Sequence, residues 1–114
     1  MQINEKLEFI QLKAKEHMPE INEKISWSVH AVVKLRTEGL RKKDIESSLR
    51  SCSIIEDYAM EGRPFPGCLV LSWSGANPVH AVIAIDEASD RIFMITVYKP
   101  SLARWRNDWK TRKQ

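Results

Sequence analysis

A chain of 114 residues that is 43% hydrophobic and 29% charged carries enough apolar material for one hydrophobic core and not for two, so residues 1–114 read as a single domain. No run approaches the roughly 18 apolar residues of a membrane helix, and the start MQINEKLEFI lacks the basic, apolar and small-residue layout of a secretory signal; a soluble, cytoplasmic protein with no membrane partner is expected. Only two cysteines occur, Cys52 and Cys68, neither in a CxxC pair. They indicate no disulfide framework and no zinc knuckle, and a mixed site with His30 and His80 lacks the local ligand spacing of zinc motifs, so no metal or other cofactor is expected.

The net charge of +3 is unevenly placed. Residues 99–114 hold six basic side chains and one acid, a balance of +5, whereas residues 1–98 hold 12 basic and 14 acidic, a balance of −2. The basic character therefore lives in the C-terminal tail, where it bears on anionic partners.

In chain order, residues 4–18 repeat Leu7, Ile10, Ala14 and Met18 at spacings of three and four, which predicts an amphipathic helix capped by Asn4 and stopped by Pro19. His17, in its last turn, favours the helix dipole and is given no chemistry. Ser26 or Ser28 caps a second helix running to Glu38, with Val29, Val32 and Val33 as its buried side and Gly39 as its stop. His30 lies at the edge of that face, four residues from Lys34. A third helix is expected over residues 42–50, with Ile45 and Leu49 inward. Residues 53–58 (SIIEDY) read as a strand, followed by an irregular loop over residues 59–67 that carries Gly62, Pro64, Pro66 and Gly67.

The stretch 68–100 is the most strongly patterned part of the chain. CLVLSWS, PVHAVIAID and RIFMITVY are three strand-like runs joined by turn residues too few for a helical crossover, which predicts an antiparallel meander. A register with Ser74 opposite Pro78 and Ile85 opposite Arg91 sets His80 between Ser72 and Thr96, with Tyr98 diagonal on the same face. Ser72, His80, Thr96 and Tyr98 then form one polar patch on an apolar sheet. Finally, SLARWRNDWKTRKQ is expected to form a short helix capped by Ser101, whose tryptophans either stack on nucleic-acid bases or cover one end of the core. Helices first and strands after predict an α+β fold: three N-terminal helices packed on a four-stranded antiparallel sheet.

Several of these residues carry a resemblance: Ser28, His30 and Ala31 at the start of the second helix, Gly39-Leu40 followed by Asp44-Ile45, Asp57-Tyr58 closing the first strand, Leu69-Val70-Leu71, Val79-His80, Thr96-Val97-Tyr98 with Pro100, and then Trp105 and Arg112. Over residues 25–112 the chain resembles an uncharacterised bacterial family, the domain of unknown function 4258, and leaves residues 1–19 as an N-terminal helical addition. The resemblance implies a compact α+β domain similar to the RelE-like toxins, small ribonucleases encoded beside an antitoxin. RNA as substrate and a small antitoxin as partner follow from it.

A metal-independent endoribonuclease needs a base for the 2′-hydroxyl, an acid for the leaving 5′-oxygen and cations for the phosphorane charge. The residues expected to supply them are His80 with His30 or Tyr98 for proton transfer, Thr96 and Ser72 to orient the histidine, and Arg112 with Lys110 or Arg106 to hold phosphate. The alternative is a non-catalytic module that docks a protein or a nucleic acid, with His80 buried as a core residue. No Gly-rich phosphate loop, GxSxG or HExxH motif supports other hydrolytic chemistry.

Overall fold

The computed structural model describes residues 1–58 and 62–114. Its elements are α1 (Ile3–Glu16), β1 (Ile25–Trp27), α2 (Val29–Glu38), α3 (Lys42–Ser48) with a 3₁₀ turn (Leu49–Ser51), β2 (Ser53–Tyr58), β3 (Gly67–Ser74), β4 (Asn77–Asp86) and β5 (Arg91–Tyr98). The fold is α+β with three helices, but the sheet has five strands in the order β1-β5-β4-β3-β2 and is mixed. The added strand β1 pairs parallel to β5, Ile25 opposite Ile92 and Trp27 opposite Met94. No helix among the described residues is long and apolar enough to cross a membrane. The first residues of the loop expected over 59–67, namely 59–61, lie outside the described residues.

One sheet face, carrying Cys68, Val70, Val79, Ala81, Ile83, Ile92, Met94 and Val97, packs against Ile10 and Ala14 of α1, Ala31 and Leu35 of α2, and Ile45 and Leu49 of α3 and its 3₁₀ turn. Both cysteines are buried there, which pushes each thiol up to about 12, on the opposite face of the sheet from His80. The buried stripe of α2 is thus not the expected one: Val29 is 83% and Val33 54% exposed. The helix continues the edge position vacated where β1 ends, alongside β5. From there it touches the sheet through a narrow i, i+4 stripe, Ala31 and Leu35. Ser28 is its cap, accepting from the Ala31 amide at 3.0 Å. At α1 the cap is Gln2 rather than Asn4.

α1 is tied to the sheet by a buried amine. Lys6, 4% exposed, pairs through Nζ with Asp57 and donates to the carbonyls of Gly67 at 3.1 Å and Tyr58 at 3.4 Å. Removing a charged donor that satisfies buried acceptors costs about 2 kcal/mol. Lys6→Ala is therefore expected to lower the urea-unfolding free energy by that amount with an unchanged denaturant slope, measurable by circular dichroism.

The register corrects the expected polar row. Ser74 pairs with Asn77 across a two-residue turn whose Gly75 supplies a φ of 63°. Ser72 therefore faces Val79, and Leu71 faces His80. A one-residue slip sends a side chain to the other sheet face. Ser72 accordingly lies on the helix side, buried, with its hydroxyl unpartnered among the described residues. Across the second turn Asp86 pairs with Arg91, and Ile95 is an extra residue between Val82↔Thr96 and Ile83↔Met94. The offset and this bulge together bring Tyr98, not Thr96, opposite His80.

Candidate functional site on the open sheet face

The face turned away from the helices is closed in part by the C-terminal tail. The helix expected at Ser101 does not form. Asp108 accepts from the amides of Lys110 (2.9 Å) and Thr111 (3.0 Å) and from the Thr111 hydroxyl (2.7 Å), a local turn that competes with helix. The tail folds back as a small hairpin in which the Arg106 amide donates to Thr111 and the Lys113 amide to Arg104. Trp105 from this hairpin is 2% exposed. Its ring meets His80 edge to face at 4.4 Å.

His80 is fully buried, and both ring nitrogens are engaged. Nε2 lies 2.7 Å from the Trp109 carbonyl oxygen and Nδ1 lies 3.2 Å from the Tyr98 hydroxyl. A carbonyl only accepts, so Nε2 carries the proton and Nδ1 accepts from the Tyr98 O–H. The lone pairs of the phenol oxygen remain for other partners. Burial, aided by the nearby Arg112 charge and opposed by the Trp109 carbonyl and Glu56, holds the His80 pKa below its ordinary value. Tyr98 is shifted upward, chiefly by burial.

The tail is pinned a second time by Arg112, whose Nε and Nη2 donate to the two carboxylate oxygens of Glu56 on β2 at 2.6 and 3.0 Å. Its guanidinium lies over the Trp105 ring at 4.6 Å. Glu56 also accepts from the Tyr58 hydroxyl at 3.0 Å. Arg112 holds the Glu56 carboxyl below its ordinary range, while burial and that carboxylate push the Tyr58 phenol up to about 12.

Both His80 and Glu56 have depressed folded values. Each contributes stability that is complete above its unfolded pKa and is lost as pH falls through its folded one. The loss begins with His80 below its ordinary value of 6.5 and continues with Glu56 below 4.5. Acidification from pH 7.5 to 5 is therefore expected to lower stability and to red-shift the emission of the tail tryptophans. His80→Gln should flatten the first part of that dependence.

His30, exposed on α2, reaches the sheet independently: its Nε2 is 3.0 Å from Thr96 Oγ1. Thr96 and Tyr98 are alternate residues of β5 on one face, about 7 Å apart along the strand. Between α2 and the tail opens a cleft of about 420 Å³ lined by Tyr98, Lys34, Lys99, Arg104, Arg112 and Trp105, with Glu38 as its carboxylate. Glu38 is occupied by Lys34 at 3.6 Å and by the Lys99 amide at 3.2 Å, so the cleft remains cationic.

A family model, that of the domain of unknown function DUF4258, matches residues 27–99. The chain belongs to the DUF4258 family. No curated protein and no solved structure matches it. The DUF4258 stretch contains His30, His80, Thr96 and Tyr98, whereas α1 and the tail that seals His80 lie outside it.

Of the expected site residues, the fold brings together His80 with Tyr98 and His30 with Thr96, and sets Arg112 beside Tyr98 at the cleft, whose lining includes neither His30 nor Thr96. Ser72 is on the other face. Arg106 and Lys110 are exposed on the tail hairpin, away from the cleft, whose cations are instead Lys34, Lys99, Arg104 and Arg112. Glu56, Lys99 and Arg104 receive no site role from the sequence, and Tyr58 and Lys34, though noted there, receive none either. Only Glu56 and Tyr58 leave a signal, as same-face residues of a short strand.

Proposed function

We propose that this DUF4258 protein is a toxin-like, metal-independent endoribonuclease of a toxin–antitoxin pair, acting on RNA in the cleft between α2 and the tail. The carrying observation is a phenol oxygen, Tyr98, that lines a cleft of four cations and one carboxylate and whose proton is directed onto the buried neutral His80 behind it. The resemblance supplies the toxin–antitoxin part of the reading.

In this mechanism Tyr98 accepts the proton of the 2′-hydroxyl as its own passes to His80 Nδ1, and the 2′-oxygen attacks the adjacent phosphorus. Arg104 and Arg112 stabilise the charge that builds on the phosphorane oxygens. His30, oriented by Thr96, donates a proton to the departing 5′-oxygen. The products are a 2′,3′-cyclic phosphate and a 5′-hydroxyl. His80 receives the proton without touching RNA, which makes it a positioning and relay residue and not a catalytic one.

The test is a map of new RNA 5′-hydroxyl ends in cells after brief induction, with wild type beside His30→Gln and Tyr98→Phe. New ends from the wild type that vanish in folded variants support the reading. Their absence from folded wild type, together with unimpaired growth, favours the non-catalytic binding module, for which the complete burial of His80 and the exposed valines of α2 are the motivating observations.

A further inference from the structure

Beside the His30–Thr96 contact, on the same sheet face, runs a second, chemically different depression. It is a groove of about 360 Å³ lined by Phe65, Phe93, Val82, Ala84 and Ile95, with Arg63 at its rim. Val82 is the cross-strand partner of Thr96, and Ile95 is the bulged residue next to it. The groove thus borders the His30–Thr96 contact. Its aromatic wall is ordered: the Phe65 and Phe93 rings stack with centroids 6.0 Å apart and planes 24° apart. The rim cation is placed too, the Arg63 guanidinium lying 4.6 Å over the Tyr58 ring, and Arg63 enters no ion pair among the described residues.

A ligand that fits this surface is flat and apolar in one part and anionic in the next. It also spans from a stacked aromatic wall to the cation Arg63. A nucleotide of single-stranded RNA has that layout, since bases stack on aromatic faces regardless of sequence while the backbone follows positive charge. Resting on the ribonuclease reading, we infer that the Phe65–Phe93 groove is a nucleobase subsite that seats an unpaired base flanking the scissile phosphate, with Arg63 on the neighbouring phosphate. The subsite therefore selects single-stranded over duplex RNA.

The full-length protein is titrated with a fully 2′-O-methylated oligouridylate, which cannot be cut by 2′-oxygen attack, and with a base-free ribose-phosphate oligomer of the same length. Stacking one base on an aromatic surface contributes about ten- to hundredfold in affinity, so the wild type should prefer the first probe by that factor. Phe93→Leu keeps an apolar filling and removes the flat face; it should abolish the preference while preserving binding to the base-free oligomer. Methyl resonances of Val82 and Ile95 should shift with the first probe alone. Equal affinity of wild type for the two probes, with RNA cleavage intact, overturns the subsite, leaves the ribonuclease reading standing and gives the groove to a protein segment. Failure to bind either probe, with no cleavage, removes both.

Discussion

Replacing His80 with alanine is expected to lower the unfolding free energy by about 3 kcal/mol and to release the C-terminal hairpin from the sheet. The side chain is fully buried. It fills the space between its cross-strand neighbours Leu71 and Tyr98 and the Trp105 ring. Its removal opens a cavity and leaves the Trp109 carbonyl and the Tyr98 hydroxyl without their partner, and each of these effects is worth between one and a few kcal/mol. Against a typical stability of about 5–15 kcal/mol, the loss is large enough to read directly from urea unfolding. His80→Gln, which retains a donor for the carbonyl, should recover part of it. Quenching of tryptophan emission by iodide should rise in His80→Ala at denaturant concentrations below the main transition. Two-state unfolding with unchanged quenching would mean that Arg112 and Glu56 hold the hairpin without His80. In either case, inactivity of His80→Ala reports on packing, and a catalytic test has to be made elsewhere.

The part of the fold legible in the sequence is the part made by local pattern. The three apolar runs of β3, β4 and β5 with their turn residues announce the meander, and Ser28 and Gly39 bracket α2 as expected. What escapes is set by non-local or single-residue effects. β1 is three residues long and owes its existence to parallel pairing with β5, 67 positions away in the case of Ile25 and Ile92, so periodicity has nothing to work on. The face of Ser72 turned on whether the first hairpin loop has two residues or three. The partner of His80 turned on that kind of offset plus the bulge at Ile95, which alternating apolarity does not mark. The tail illustrates a third kind of failure. Trp105 and Trp109 at a spacing of four suggest a helix, but Asp108 between them offers the backbone a tighter local bonding scheme, and His80 supplies the partner that fixes it.

The same non-local effects set the site. The sequence leaves His80 either as a proton-transfer residue or as a core residue, because a histidine in an apolar strand demands a reason. The fold supplies a reason, the tethering of Trp109 and Tyr98, and leaves the Tyr98 phenol half-buried and His30 exposed. The tail that completes the cleft with Arg104 and Arg112 lies outside the stretch matched by the DUF4258 family model. Two of the cleft's four cations, Arg104 and Arg112, and the seal over His80 thus lie outside the matched stretch, while Lys34, Lys99, His30, His80 and Tyr98 lie within it.

Tyr98→Phe is the substitution that separates chemistry from architecture. Phenylalanine keeps the ring that meets His80 at 5.2 Å and deletes one hydroxyl, so stability should change by about 1 kcal/mol. RNA cleavage should fall by about 10²–10⁴, the usual contribution of a positioned proton-transfer group, with affinity for the methylated oligouridylate retained within a few-fold. His30→Gln should show a similar loss with no stability change, because its ring is exposed. The pH profile adds an independent sign. The proposed relay needs an unprotonated His80 Nδ1, so wild-type cleavage should decline on the acid side as His80 takes up a proton, below its ordinary 6.5 because burial depresses its value. The residual activity of Tyr98→Phe should lack that limb. An acid limb that persists in Tyr98→Phe, or a variant that cuts at the wild-type rate, would remove Tyr98 from the chemistry and return it to the role of a lid on His80.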